Sequence, residues 1–229
     1  MSLKRLIASL AARHGYHIGR LPPPAETMED HLISVLEKYG VSHVVDVGAH
    51  QGEYATLLRS RGYGGRVISI EPVRENFEIL AEHAASDPAW QAVNCALGAS
   101  DRRTTIQITN QTMCASLHGS SEYGRQTFGD KLDVRETQQV HVRPLDDLIA
   151  EVFPEKTPDN LYLKLDTQGH DLEVLRGAER TLEHVVGFQS ELAVKPIYEG
   201  AAGFLEMLDA AGSLGFELSA LFPVSIDHS

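Results

Sequence analysis

Short apolar runs alternate with amphipathic stretches along most of this chain, and that alternation restricts its fold more than any other feature. Val44–Val47, Arg66–Ile70, Gln91–Cys95, Leu161–Leu165, Val186–Leu192 and Phe216–Leu221 read as strands. Helical periodicity covers Met28–Tyr39, Glu53–Arg61, Arg74–Ala85, Asp171–Leu182 and Phe204–Ala211, the first with Leu32, Val35 and Leu36 inward and Gly40 at its end. Repeated strand–helix–strand units need crossover connections, so the pattern predicts a mostly parallel, doubly wound α/β sheet with helices on both faces. Thr104–Thr109 and Gln139–Val142 alternate apolar with polar residues instead, which predicts an antiparallel excursion. The 229 residues suit one substantial domain over 28–229, preceded by an N-terminal helix and a Pro-rich connector over 1–27.

Charge and cysteine content narrow the chemistry. With 20 basic against 32 acidic residues the net charge is −12, a field that repels a phosphate backbone, so no nucleic-acid partner is expected. Cys95 and Cys114 match no zinc motif and make no disulfide framework, which fits a reducing cytoplasm. No run approaches the length of a transmembrane segment, and MSLKRLIASLAARHG lacks the unbroken apolar core of a secretory signal. Its Leu3, Leu6, Ile7 and Leu10 share one helical face, read as packing on the domain or on a second subunit of a homo-oligomer. An interfacial membrane helix is the alternative. Asn110–Gln138 is polar, dotted with Gly and Ser, and too long for a passive connection. Met113, Leu117, Tyr123 and Phe128 give it something to bury, so it reads as a lid over a substrate pocket.

The turn after the first strand, Gly48-Ala49-His50-Gln51-Gly52, narrows the ligand. A phosphate-binding P-loop needs a Lys after its last Gly, and Glu53 stands there. A dinucleotide fingerprint counted from Gly48 puts His50 and Glu53 where small residues must let backbone approach a pyrophosphate. Both substitutions argue against phosphate. Glu71 closes the second strand, about 20 residues on, where an acid accepts hydrogen bonds from ribose hydroxyls. A Gly-bearing turn with a ribose acid and no room for pyrophosphate points to S-adenosylmethionine.

These residues also carry a resemblance. From about Val41 to Phe222 the chain resembles the FkbM family of S-adenosylmethionine-dependent methyltransferases, through VVDVGAHQGEYA, ISIEPVRENFEIL, NCALG, LYLKLDTQGHDLEVLRGAE and FQSELAVKPIYEG in that order. The resemblance implies a Rossmann-like methyltransferase sheet and O-methylation of a hydroxyl on a saccharide or secondary metabolite. It implies that Asp46, Gly48, Gly52 and Glu71 hold the cofactor, and that Ala96 and Leu97 lie beside the adenine. The family's pattern carries a further strand beyond LFPVS, so a missing or replaced sheet edge is expected there.

Catalytic residues are sought past the end of the Leu161–Leu165 strand. A central parallel strand is apolar on both faces, so Lys164 and Asp166 stand out there. Lys164 is expected to bridge Asp46 and Glu191, either as machinery or as a structural ion pair. A hydroxyl acceptor needs its proton removed; His170, Asp166 and Glu191 are the candidate bases. Asp166 and Glu191 are alternatively ligands of a divalent cation such as Mg²⁺ that acidifies the hydroxyl. His50 is placed against the cofactor, and Ser116, His118 and Tyr198 against a small-molecule or glycan acceptor. A serine hydrolase is disfavoured because HGSSEYG lacks the G-x-S-x-G elbow. A non-catalytic S-adenosylmethionine-binding protein and an NAD-dependent oxidoreductase are the remaining alternatives.

Overall fold

The computed structural model describes residues 27–224; the readings placed on residues 1–26, among them the Leu3–Leu10 stripe and the Pro-rich connector up to Glu26, lie outside the described residues. The chain divides into two compact units, Met1–Leu32 and Ile33–Ser229. Of the first, Thr27–Leu32 are described: the Thr27 hydroxyl accepts the Asp30 amide at 3.1 Å and so caps the start of helix α1, Met28–Lys38. Leu32 and Leu36 are buried in α1 and Val35 is half-buried, as its periodicity predicts. The helix is followed by Gly40 at φ +59°, whose amide bonds back to Glu37 O at 3.1 Å.

The second unit is built on a five-stranded sheet of order β3-β2-β1-β7-β8, every neighbouring pair parallel. Its strands are β1 His43–Val47, β2 Arg66–Ile70, β3 Trp90–Val93, β7 Leu161–Leu165 and β8 Val185–Ser190. Helices α2 Glu53–Ser60 and α3 Arg74–Ala84 make the first two crossovers. Val44, Val45 and Val47 of β1 and Leu161, Leu163 and Leu165 of β7 are all at most 1% exposed. Each such side chain contributes roughly 1.5–3 kcal/mol by leaving water. Because parallel strands are covered on both faces, these two strands read as near-continuous apolar runs, and their polar members are exceptions that need a reason.

The predicted antiparallel excursion is a second sheet of order β4-β6-β5, with β4 Ala96–Leu97, β5 Arg102–Thr109 and β6 Val134–Arg143. β5 and β6 pair antiparallel, while β4 joins β6 in parallel through Ala96↔Val142. Ile106, Ile108, Val140 and Val142 fall two residues apart in each strand and form one buried face with Val73 and Ala96.

Two readings change. Phe216–Leu221 is not a strand: Phe216 stacks edge-on against Phe188 of β8, ring centroids 5.0 Å apart, while Leu218 and Leu221 are exposed. The stretch is not strand-paired among the described residues, and apolar content alone does not make a sheet edge. The helix expected over Asp171–Leu182 breaks into α6 Asp171–Arg176 and α7 Glu179–Leu182. A side chain at Gly177 would overlap the Gly98 carbonyl oxygen, so the chain needs glycine where the β4–β5 connection passes. Asn110–Gln138 carries structure of its own, a 3₁₀ turn at Thr112–Cys114, helix α4 Glu122–Phe128 and a second 3₁₀ turn at Gly129–Leu132. Helix α5, Leu145–Val152, leaves β6 through Pro144, and α8, Phe204–Ser213, is the last helix among the described residues.

Candidate active site

The loops at the carboxyl ends of β1, β2 and β7 meet at one place. Gly48 takes φ +76°, and its amide and that of Ala49 both bond to Ile70 O at 3.0 Å, tying the turn to the end of β2. A Cβ on Gly48 would lie well inside van der Waals contact with the Asp166 carbonyl oxygen; one on Gly52, at φ +95°, would lie 2.7 Å from Trp90 Cζ2. Both glycines are therefore required by protein neighbours as well as by backbone conformation. His50 sits at φ +48°, a left-handed conformation that side chains rarely adopt. Its amide donates to Glu71 Oε2 at 2.9 Å, and the Val73 amide donates to Oε1 at 2.8 Å. Desolvation pushes the 5% exposed Glu71 carboxyl up to about 7 against the pull of these amides.

Lys164 lies opposite Asp46 in the β1–β7 register, with Nζ 3.1 Å from Asp46 Oδ1. It also donates to Gly48 O at 2.9 Å and lies 3.4 Å from Asp166 Oδ2, so its partners are Asp46 and Asp166 rather than Asp46 and Glu191. The reason is the period of two: Asp166 follows Lys164 on the same side of the strand, whereas Glu191 lies beyond the end of β8. Burial works against the Lys164 charge, but Asp46 and Asp166 outweigh it and keep the ammonium protonated. Ser69 Oγ supports the other Asp46 oxygen at 3.3 Å and itself accepts Trp90 Nε1–H at 3.0 Å. The face of Tyr54 lies 5.7 Å from Lys164 Nζ, and the Tyr54 hydroxyl donates to Gln189 at 2.9 Å.

Past β7 the chain runs through Asp166-Thr167-Gln168-Gly169-His170-Asp171. Buried Asp171 holds this loop: it accepts from the Thr167 amide at 2.9 Å, from the Thr167 hydroxyl and from Ser190 Oγ. Gln168, at φ +52°, donates its amide to Asp166 Oδ1 at 2.7 Å and accepts the Tyr198 hydroxyl at 2.7 Å. Its carbonyl accepts the Ser116 hydroxyl at 2.7 Å, and Ser116 Oγ in turn accepts the His118 amide at 3.0 Å. Ser116 and Tyr198 are thus buried fasteners. His118 Nε2 meets His170 Nδ1 at 2.9 Å. His170 is buried with Nε2 facing Gly98, and burial followed by the neighbouring His118 pushes it down to about 4. Exposed Glu191 has its carboxyl pushed up to about 7 by desolvation and then by the Asp166 carboxylate beside it.

This arrangement has known relatives. The family model of the methyltransferase FkbM domain matches residues 46–218. The chain belongs to the FkbM methyltransferase family. The methyltransferase sdnD of Sordaria araneosa is 22% identical over 173 residues, which cover 67% of each chain. The matched span begins at Asp46 and takes in the second sheet as well as the parallel one, so both are parts of the FkbM domain.

Within this FkbM domain some expected contacts are rearranged. Ala96 and Leu97 are buried at 6% and 2% in β4, Ala96 in the second sheet's core and Leu97 in the main core. Just past the end of β3, the Asn94 side-chain amide donates to Glu71 O at 2.8 Å. No group of three or more His, Cys, Asp or Glu able to hold a metal occurs among the described residues. Gln168, Asp171, Asn94, Tyr54 and Thr112 were not singled out from sequence. Only Asp171 carried a signal, an acid directly after Gly169-His170 at a helix start.

Proposed function

We propose that this FkbM-family protein transfers a methyl group from S-adenosylmethionine to a hydroxyl of a saccharide or secondary metabolite. The observation that carries the reading is the donor set at the strand ends. It is built of carboxylates, Glu71, Glu53 and Asp166, with His50 and Glu53 standing where a phosphate would need open backbone. Carboxylates suit ribose hydroxyls and a cationic ligand and repel phosphate. When bound, S-adenosylmethionine supplies an electrophilic methyl group on a sulfonium sulfur. Glu71 takes the ribose hydroxyls on lone pairs that the two amides leave free. Asp46 and Lys164, both buried, brace the turn from below, and Asn94 stands at the adenine side in place of Ala96 and Leu97. Asp166, oriented by Lys164 and Gln168, faces the acceptor, and Glu191 removes its proton. His170 is relieved of that role, because a buried imidazole held near 4 and already bonded to His118 is a poor base at neutral pH. Both cysteines are free thiols, which supports a reducing compartment such as the cytoplasm. No described helix is long and apolar enough to cross a membrane.

Calorimetry with S-adenosylmethionine and with NAD separates the ligands. Binding of the first alone is expected; no binding of it ends the proposal. Turnover is then read as labelled methyl transfer to a panel of sugars and hydroxylated metabolites, and cofactor binding without transfer to any acceptor would favour the non-catalytic alternative.

The cofactor affinity should also depend on pH in a defined direction. Glu71 must be ionised to accept both ribose hydroxyls, and in the free protein it is pushed up to about 7. Affinity is therefore expected to be about tenfold weaker at pH 6 than at pH 8. The free protein behaves oppositely. A carboxyl whose folded value is raised contributes most at low pH, and that contribution is lost as pH rises from the usual glutamate range through about 7. Flat affinity across this window would remove Glu71 from the ribose site.

A further inference from the structure

The cofactor turn and the Thr112–Cys114 turn meet in a contact whose Thr112 end the methyl-transfer reading does not use. His50 Nδ1 lies 2.8 Å from Glu53 Oε1, and His50 Nε2 lies 2.9 Å from Thr112 Oγ1, across 62 residues of chain. The hydrogen-bond directions follow from the partners. Glu53 is held ionised, its carboxylate retained by the His50 ring and by amides including that of Gln51 at 3.1 Å, even though desolvation works the other way. An ionised carboxylate only accepts, so Nδ1 carries the proton and donates to Glu53. In the neutral ring Nε2 is then the acceptor, and it takes the Thr112 hydroxyl proton. Carboxylate, imidazole and hydroxyl stand in the order that activates a nucleophile: a base within reach of the hydroxyl, itself oriented by a third group. Such a relay is recognised by geometry and has no fixed spacing, so the missing G-x-S-x-G elbow does not exclude it.

Two further observations fit an active relay. His50 holds its ring there from a left-handed backbone at φ +48°, a conformation that costs of order 1–3 kcal/mol and persists where the surroundings enforce it. The site is also open: the His50 side chain is 21% exposed, Thr112 is half-buried, and Met113 beside it is 52% exposed.

We propose that Thr112 is an activated hydroxyl that accepts an acyl group from an activated carboxylic ester, with His50 as its base and Glu53 orienting the ring. Thr112 Oγ bonds to the ester carbonyl carbon as His50 Nε2 takes the hydroxyl proton. The ester C–O bond breaks, and His50 returns the proton to the departing oxygen. Water, deprotonated by the same nitrogen, then releases the acid and restores the threonine. The inference shares His50 and Glu53 with the cofactor turn, but its test reads the Thr112 adduct and does not depend on methyl transfer.

The test uses the full chain with p-nitrophenyl acetate, following p-nitrophenolate release and mapping acetyl groups by peptide mass spectrometry. Thr56, Ser60 and Thr105, exposed hydroxyls with no imidazole bonded to them, are internal references. Thr112 is expected to acetylate at least about tenfold faster than any of them, on the ground that a positioned base accelerates proton transfer. His50→Asn, chosen because asparagine tolerates the left-handed backbone, should remove about tenfold or more of that rate. Glu53→Gln should slow it several-fold, and the isosteric Thr112→Val should abolish the Thr112 adduct while leaving the thermal transition within a few degrees. Acetylation of Thr112 no faster than of the reference hydroxyls, or a rate untouched by His50→Asn, overturns the proposal and leaves the contact as a clasp between two turns.

Discussion

Lys164→Met is expected to destabilise the protein by about 3–5 kcal/mol, measured as the shift in urea unfolding at neutral pH. Methionine nearly matches the volume of the lysine stem, so packing changes little and the loss reports the ammonium. That ammonium is the partner of Asp46 at 3.1 Å and also bonds Gly48 O at 2.9 Å, at the joint between β1 and β7. Asp46 is 0% exposed, and without Lys164 it keeps only the Ser69 hydroxyl at 3.3 Å. A lone buried carboxylate costs far more than a pair, because the desolvation of the second charge is no longer offset. Asp46→Leu together with Lys164→Met should recover most of the loss, since apolar replacement of a whole buried pair is often neutral. Added salt should leave the difference nearly unchanged, as burial shields the pair from screening. A single variant as stable as the parent would mean that Asp46 is neutral in the fold and that Lys164 braces nothing.

The same lysine shows how much of the molecule is legible in its sequence. A charge inside the apolar run Leu161–Leu165 declares itself, because a strand covered on both faces has no place for an unpaired ammonium. The β1 partner follows from the parallel order, and Asp46 lies directly opposite. The second partner is not legible in the same way: Glu191 is the acid expected across the sheet, but Asp166, two residues on and just past the end of β7, is the one in reach. Core strands were legible for a related reason: burial on both faces writes itself into consecutive residues. Phe216–Leu221 has the composition of a strand but is not strand-paired among the described residues, and composition alone does not reveal pairing.

Site residues divide along the same line. The places of Gly48, Gly52 and Glu71 at the strand ends were readable because a turn after a strand and an acid after the next recur at fixed positions. Even so, the glycines answer to the Asp166 carbonyl and the Trp90 ring, which no local pattern shows. Thr112 and Gln168 act through partners 62 and 30 residues away, His50 and Tyr198, and neither residue type is unusual in a loop. Their roles arise only when the fold brings the segments together. His170 illustrates the converse: its residue type suggests a base, but it is buried beside His118 and Gly98, and burial pushes its imidazole down to about 4.

Glu191→Gln is the substitution expected to do most to turnover, lowering kcat for methyl transfer by about 10²–10⁴-fold, the contribution of a positioned general base. Glutamine keeps the shape and a hydrogen-bond acceptor but takes no proton. Since the Glu191 residue is exposed and glutamine preserves its size, the thermal transition and the affinity for S-adenosylmethionine should stay close to those of the parent. The pH profile supplies the second readout. Protonated Glu191 hydrogen-bonds Asp166, and desolvation with the negative charge of Asp166 pushes it up to about 7. A base works only when ionised, so the parent rate should rise between pH 6 and pH 8, and the residual rate of Glu191→Gln should lose that rise. Asp166→Asn gives the matching control: with the neighbouring charge removed, Glu191 ionises at lower pH, and the rising limb moves to the acid side. A full rate in Glu191→Gln would return the proton transfer to Asp166. A rate lost together with cofactor binding would show that Glu191 holds the cofactor instead of the acceptor proton.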